Sequence, residues 1–378
     1  MTTNTPALLK LLDALHAEAE NAGKKTFIAD ATIREQIGYV CLCMKNRAGV
    51  RLLMACMLAK LDNPNLDPRK PYTEIGTGDS FSGRSYDEQI LGGFITKEQL
   101  PCNSTTAFLT PTLRNIDAPL TPKTSFVGRP RELYIKTALI LENVAKGRID
   151  ARKVMLESLR LLIHVRNENR TILQSLLGAV GKNQGALPLS GEAIVTLVSQ
   201  HLACKNTSRL PVLIVMTAYS TAGKCLGECA KPLHSHNAAD KQTHAIGDVE
   251  ICVENDDAVV TAYEMKMKRV TKADIDHALE KIASAKPRIH NYIFITTDVI
   301  EPEINTYAKF LYEMTNGVEI VVLDCIGFLR HFLHFFHRAR NNYLDAYQSL
   351  ILAEPDSAVS QSLKQVFLTL RKEAESDT

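Results

Sequence analysis

The chain lacks the features that most directly reveal a protein's class. No apolar run approaches the ~20 residues that a membrane-spanning helix needs, so no membrane partner is expected. The net charge at pH 7 is only +2, with 44 Lys and Arg against 42 Asp and Glu. There is thus no global basicity to indicate nucleic acid, and any attraction to DNA must come from local patches.

The cysteines also lack a pattern: nine are present, without regular spacing. No signal-peptide-like start is visible, and together these features predict a reduced, soluble, cytoplasmic protein. Neither an internal repeat nor a low-complexity linker is found. The 378 residues are therefore expected to form two domains, or one large domain with a substantial core.

Two neighbouring segments, 248–254 and 258–268, are predicted to form a β-hairpin. Both alternate in polarity with the period of two that is typical of a strand, so that Val249, Ile251 and Val253 are expected on one face of the first segment. The polar residues between the segments favour a reversal of chain direction. A hairpin of this kind places the polar residues of both strands on one surface of a sheet.

That surface is predicted to carry two carboxylates and an amine, from Asp248, Glu264 and Lys266. Carboxylate oxygens suit a hard cation, Mg²⁺ with Mn²⁺ as a substitute. A lysine beside them can orient or deprotonate a metal-associated water. We therefore predict Asp248 and Glu264 as metal ligands and all three as catalytic residues, with Glu250 in reserve for a second ion. The alternative is an amphipathic surface hairpin with solvated charges.

The residues after the hairpin are predicted to form a helix, a strand, a second helix and a second strand, in that order. Thr271 is expected to cap a helix that ends before Pro287. The apolar run Tyr292–Ile295 predicts a strand covered on both faces, and residues 301–314 predict a helix that is followed by strand 318–323. Further on, residues 326–353 and 357–370 are each predicted to be helical. The fold class predicted is α/β with a mixed central sheet.

The acids and the lysine resemble the active-site signature of the PD-(D/E)xK nucleases. Asp248 stands at the first acid, and Glu264-Met265-Lys266 forms the acid-x-lysine element. The proline of the ideal motif is absent, and Ile246-Gly247 stands in its place. The resemblance implies a sheet of the PD-(D/E)xK nuclease type behind a large, mostly helical N-terminal region.

The N-terminal region is predicted to be helical over 5–61 and 131–200, with Gly- and Pro-rich loops between. We expect a mostly helical region, 1–205, for DNA recognition and dimer contacts, and a catalytic α/β domain, 206–378, that ends in helices. Residues 223–246 predict a loop. Its Cys225-x3-Cys229 followed by histidines superficially suggests zinc, but the spacing matches no common ligand pattern.

The loops after residue 63 combine short polar side chains with arginines, which is the chemistry that contacts phosphates and base edges. Arginines there can bind guanine or phosphate, and asparagines can bind adenine. Ordinary turn and capping chemistry is the alternative. The predicted DNA-binding residues, with two basic residues from the end of the hairpin, are Ser80, Ser82, Arg84, Asn103, Arg114, Asn115, Lys268 and Arg269.

Two islands of the chain resemble the SacI family of type II restriction endonucleases. Gly247–Lys268, with the following helix and the strand at Phe294, looks like that family's catalytic region, and 82–87 looks like its upstream region. The likeness extends over about residues 30 to 340. Where the family has a basic residue between acid and lysine, this chain has Met265, which is expected to face away from the site.

The resemblance implies a Mg²⁺-dependent endonuclease that cuts both strands of a short, palindromic double-stranded DNA site and leaves 5′-phosphate ends. It also implies a homodimer and a cognate DNA methyltransferase as the companion in a restriction-modification system. Two alternatives stay open on the residues alone. One is a DNA repair or junction-resolving nuclease with the same core, and the other is a sequence-specific DNA-binding protein that does not cleave.

Overall fold

The structure is a computed structural model that describes residues 5–103, 105–180, 188–233, 245–284 and 289–376. By compactness the chain divides into two units, unit 1 (1–171) and unit 2 (172–378). This division, at 171/172, lies before the boundary at 205/206 that was expected between the recognition region and the catalytic domain. The assignment of roles to 1–205 and 206–378 stays a prediction.

Unit 1 is helical, as predicted. Its helices share one hydrophobic core with α3, in which every residue from Ala48 to Ala59 is buried. A helix that is apolar on nearly all sides is stable only when other helices cover it, which is why α3 lies at the centre. The long helices of unit 1 are α1 (Thr5–Ala22), α2 (Ala31–Leu42), α3 (Ala48–Asp62), α6 (Arg131–Ala145) and α7 (Ala151–Leu177), of which α7 continues past residue 171.

The loops between α3 and α6 contain short helical pieces, α4 (Gly83–Tyr86) and α5 (Gly92–Lys97), with a π-turn between them. A buried ion pair holds these loops to α3: Arg51 Nε lies 2.6 Å from Asp87 Oδ1. The other Asp87 oxygen accepts hydrogen bonds from the Thr106 hydroxyl and the Ala107 N–H. Because both partners are buried, their hydrogen bonds must offset a large desolvation cost.

Unit 2 is built on a five-stranded mixed sheet with strand order β1-β2-β3-β4-β5. The pairs β1/β2 and β2/β3 are antiparallel, whereas β3/β4 and β4/β5 are parallel. The α/β class and the mixed sheet are thus confirmed. The strands are β1 (Glu228–Ala230), β2 (Val249–Val253), β3 (Val259–Lys266), β4 (Asn291–Thr296) and β5 (Glu319–Asp324).

Helices cover both faces of this sheet. On one face, a cluster that includes Val249, Ile251 and Tyr263 packs with α8, α9 and the C-terminal helices. On the other, Tyr292 and Phe294 pack with the two helices that connect the parallel strands. The helices of unit 2 are α8 (Gly191–Leu202), α9 (Leu210–Leu226), α10 (Lys272–Ser284), α11 (Pro302–Met314), α12 (Cys325–Phe335), α13 (Arg340–Ala353) and α14 (Gln361–Ser376).

Three details of the predicted strands were wrong. The strict alternation along 248–254 is broken by a register shift between Ile251 and Cys252, so Cys252 is buried and Val253 is exposed. The second strand ends at Lys266 and does not continue to Lys268. Strand β1 forms within the stretch predicted to be a loop, because its backbone pairs with the exposed edge of β2.

The single helix predicted over 326–353 is two helices. Helix α12 ends at Phe335, and a 3-10 turn, His337–Ala339, precedes α13. The backbone of Phe336 leaves helical values at φ −102°, ψ 46° without a glycine or proline to mark the break. The last helix begins at Gln361, where the Ser360 hydroxyl accepts a hydrogen bond from the Leu363 N–H, and not at 357. Among the described residues, no helix is long and apolar enough to cross a membrane.

Candidate active site

The antiparallel pairing of β2 and β3 brings the predicted acids together. Val249 pairs with Tyr263 and Glu250 with Ala262, so the next position along places Asp248 beside Glu264. Asp248 Oδ2 accepts a hydrogen bond of 2.7 Å from the Met265 N–H, which anchors this carboxylate to β3. The structure therefore brings Asp248 and the Glu264 strand together on the face that α10 covers.

The Glu264 carboxylate is contacted on both oxygens. Lys266 Nζ lies 3.4 Å from Oε1, and Lys281 Nζ lies 3.1 Å from Oε2. The hydroxyl of Tyr292, which is fully buried on β4, lies 2.9 Å from the same Oε2. It also lies 3.2 Å from the Ile246 carbonyl, and its single proton can be donated to either oxygen. Sequence reasoning missed Lys281 and Tyr292, because they come from different elements.

Lys266 bridges Glu264 and a third carboxylate, Asp274 on α10. Its Nζ lies 3.1 Å from Asp274 Oδ1. Burial by itself lowers the pKa of Lys266, but the hydrogen bond to Asp274 and the charge of Glu264 outweigh it, so the pKa lies above its usual value. At neutral pH Lys266 is therefore a cation. It can donate hydrogen bonds and neutralise negative charge, but it is poorly suited to take up a proton.

Asp274 is held in place by the start of its helix. Its Oδ2 accepts hydrogen bonds from the N–H and the hydroxyl of Thr271, and the Thr271 hydroxyl accepts from the Asp274 N–H. This is a capping-box arrangement with Asp in the place of Glu. Burial raises the pKa of Asp274, but these hydrogen bonds and Lys266 more than offset it, so the pKa is below its ordinary value. The Thr-x-x-Asp spacing was the signal that could have identified this residue.

Gly247 and Glu250 lie close to Asp248 in the chain and fix the backbone around it. A Cβ at Gly247 would lie 2.5 Å from the Tyr263 carbonyl oxygen, so only glycine permits this close passage of the two strands. Glu250, which is buried, lies on the same sheet face as Glu264, and its Oε1 accepts a hydrogen bond of 2.7 Å from the Ile246 N–H. Its role toward a second ion stays a prediction.

The residues present fit a Mg²⁺ or Mn²⁺ ion with partial protein coordination. No three His, Cys, Asp or Glu side chains within the described ranges form a group that could hold a metal by themselves. Asp248 and Glu264 would supply two ligands, and Mg²⁺ characteristically retains waters and takes substrate phosphate oxygens at its other positions. The assignment of both as ligands stays a prediction.

The second metal pattern from the sequence is only partly covered by the structure. Cys225 and Cys229 are exposed free thiols, on α9 and β1. His234, His236 and His244 lie outside the described residues. No argument for zinc follows from the part that is described.

In unit 1, four of the predicted DNA-binding residues line one cavity of about 380 Å³: Ser82, Arg84, Arg114 and Asn115. Ser82 also caps α4, as the capping alternative expects, and Arg84 Nε lies 2.9 Å from Glu88 Oε1. Glu74 and Asp117 add carboxylates to the wall, and Phe108 adds an aromatic side chain. The cavity therefore presents both donors and acceptors.

The other predicted DNA contacts lie elsewhere. Ser80 donates its hydroxyl to the Thr77 carbonyl, and the Asn103 carbonyl accepts a hydrogen bond from buried Arg51. In unit 2, Arg269 follows β3 and makes ion pairs with Glu301 and Asp298, and the Lys268 carbonyl accepts from Thr296. All these assignments to DNA contact stay predictions.

Comparison with known proteins finds one family model that matches the part of the chain containing the candidate site. Residues 190–297 match the family model of the SacI restriction endonuclease C-terminal domain. The match covers less than a third of the 378 residues, but it includes β2, β3, α10 and β4 and so the whole candidate site. No curated protein matches the chain. The resemblance predicted from Gly247–Lys268 is confirmed.

Proposed function

We propose, from the premise that this chain is a SacI-family restriction endonuclease, that it hydrolyses both strands of a short, specific and palindromic DNA site and leaves 5′-phosphate and 3′-hydroxyl ends. One observation carries the proposal: Asp248, Glu264 and Lys266 lie at one end of the β2/β3 hairpin, with Lys266 in contact with Glu264. This is the grouping of acids and a lysine expected of a PD-(D/E)xK nuclease.

In the proposed mechanism, Asp248 and Glu264 would hold Mg²⁺, for which Mn²⁺ could substitute. When bound, the ion would polarise the scissile phosphate and lower the pKa of its water. Lys266, a cation at neutral pH, orients the attacking water and neutralises charge that builds on the phosphate. Asp274 keeps the lysine in this position through the 3.1 Å contact.

DNA recognition is proposed to involve unit 1. The cavity lined by Ser82, Arg84, Arg114 and Asn115 offers the donors that bind phosphates and base edges. Arg84 and Arg114 are exposed and within reach of a ligand. A palindromic site is read most simply by a two-fold homodimer in which each subunit cuts one strand. A cognate methyltransferase would protect the host's copies of the site.

The test is digestion of plasmid DNA with Mg²⁺ and with Mn²⁺. The wild-type chain is expected to give discrete bands, and Asp248→Asn, Glu264→Gln and Lys266→Met are each expected to abolish them. Glu254→Gln is the matched control, because this exposed acid follows β2 directly. Full cleavage by the three site variants would refute the assignment.

The same preparation separates the alternatives. Preferential cutting of branched DNA over plain duplex would favour a junction-resolving or repair nuclease. Tight binding to one sequence without cleavage in Mn²⁺ would favour a DNA-binding protein. Sequencing the ends of a successful digest gives the recognised site and the position of the cut.

A further inference from the structure

Lys281, on the last turn of α10, is a second lysine in contact with Glu264. Its Nζ lies 3.1 Å from Oε2, and the exposed fractions of the two side chains are 16% and 17%. Nothing in the predicted motif requires a residue at this place. The contact depends on the helix that follows the hairpin and covers the sheet face carrying the acids.

Helix α10 presents a pair of charges that complements the pair on β3. Asp274 and Lys281 are seven residues apart, close to two helical turns, so they lie on the same helix face. Asp274 contacts Lys266, and Lys281 contacts Glu264. Because Lys266 also contacts Glu264, the four side chains form a continuous series of alternating charge.

The formal charge of the site depends on this second lysine. Four carboxylates lie at this end of the sheet face, from Asp248, Glu250, Glu264 and Asp274. With two lysines the group has a formal charge of −2, which one divalent ion neutralises. Removal of the Lys281 charge leaves −3, and a cation that binds Glu264 is then no longer repelled from the Oε2 side.

We propose that Lys281 is a positioning residue that acts as a built-in counter-ion of Glu264. It fixes the carboxylate through Oε2 and competes with the divalent ion for the same negative charge. This inference rests on the proposed function, since it takes Glu264 to be a metal ligand. Lys266 acts on the other oxygen, so the two lysines hold the carboxylate from both sides.

The test is titration of the DNA-free protein with Mn²⁺, followed by electron paramagnetic resonance, and with Mg²⁺, followed by calorimetry. Lys281→Met is expected to lower the Kd for the ion about five- to tenfold, because the substitution removes the repulsion between a unit positive charge and a divalent ion a few ångströms away, which screening by water and salt reduces to about this size. Lys281→Arg keeps the charge and is expected to bind the ion like the wild type. Lys309→Met, at an exposed position of α11, is the matched control and should change nothing.

If Lys281 only supported the structure of the site, Lys281→Met would raise the Kd for the ion, because a disordered site binds the ion more weakly. An unchanged or raised Kd in Lys281→Met, with its thermal midpoint retained, overturns the inference. Should Lys281→Met fail to fold, Lys281→Gln removes the same charge and is judged by the same criterion. If wild-type binding is lost in Asp248→Asn but unaffected by Lys281 variants, only this inference fails. If the wild type binds no divalent ion without DNA but cuts plasmid DNA in Mg²⁺, this inference alone fails. If it neither binds the ion nor cuts DNA, the proposed function fails with it.

Discussion

Both units contain an arginine or lysine paired with an aspartate, but the two pairs lie in different surroundings. In unit 1, Arg51 and Asp87 are 3% and 0% exposed, and further hydrogen bonds complete their polar contacts. In unit 2, Lys266 and Asp274 are 28% and 27% exposed. A fully enclosed pair cannot be reached by ions or substrate and acts only within the fold, whereas a partly exposed pair remains accessible to both.

The largest difference between the two pairs is expected at Lys266. Lys266→Met is expected to lower the DNA cleavage rate on the order of 10³-fold, because a cation that neutralises transition-state charge is lost. The free energy of unfolding should change by less than about 1 kcal/mol, as for other partly exposed ion pairs. Single-turnover cleavage and urea unfolding measure the two quantities. If Lys266→Met lost more stability than this but still cleaved DNA, Lys266 would act in the fold and not in cleavage.

The corresponding change in unit 1 is Asp87→Ala. It leaves Arg51 buried without its partner, and we expect a loss of about 3 to 5 kcal/mol in the free energy of unfolding. Denaturant unfolding followed by circular dichroism measures it. Glu88→Ala is the neighbouring control: its pair with Arg84 is exposed, so the loss should stay below about 1 kcal/mol. Equal losses in both variants would show that burial is not the deciding factor.

Unit 2 has its own fully enclosed titratable group, His201 on α8. Burial lowers its pKa to about 4, although the hydrogen bond between its Nε2 and the Leu363 carbonyl opposes the shift. The pKa of His201 is lower in the folded state than in the unfolded state. The contribution of neutral His201 to the free energy of unfolding is therefore fully present above about pH 6.5 and is lost as the pH falls toward 4.

Unfolding at pH 7 and pH 4.5 tests this pH dependence. The wild type is expected to lose about 2 to 3 kcal/mol more than His201→Gln, which cannot titrate. The carboxylates titrate in both proteins, so the difference isolates the histidine. Identical pH profiles would mean that His201 is already solvated or charged in the fold.

The smallest effect is expected from Tyr292→Phe. It removes the hydroxyl that contacts both Glu264 and the Ile246 carbonyl, and should cost about 1 kcal/mol of stability. A cleavage loss of about tenfold is expected, because the carboxylate retains both lysines. Tyr307→Phe is the control, since that hydroxyl contacts exposed Asp276 and not the site. Equal cleavage losses in the two variants would show that the Tyr292 hydroxyl does not support Glu264 in cleavage.

Much of the fold could be predicted from local signals. The alternation in 248–268 indicated the hairpin, the run at Tyr292 indicated a buried strand, and Thr271 indicated the start of α10, because each of these signals reflects contacts close in sequence. The break at Phe336 could not be predicted, because neither a glycine nor a proline marks it in the sequence.

The spacing of Asp248 and Glu264 along the chain is enough to place them on one sheet face, because the two-residue period of a strand fixes on which side each residue lies. The surroundings of Glu264, in contrast, arise from the packing of separate elements. Lys281 and Tyr292 reach it from a covering helix and a parallel strand, 17 and 28 residues away along the chain. No local pattern specifies such contacts, since they depend on how α10 and β4 pack against the hairpin.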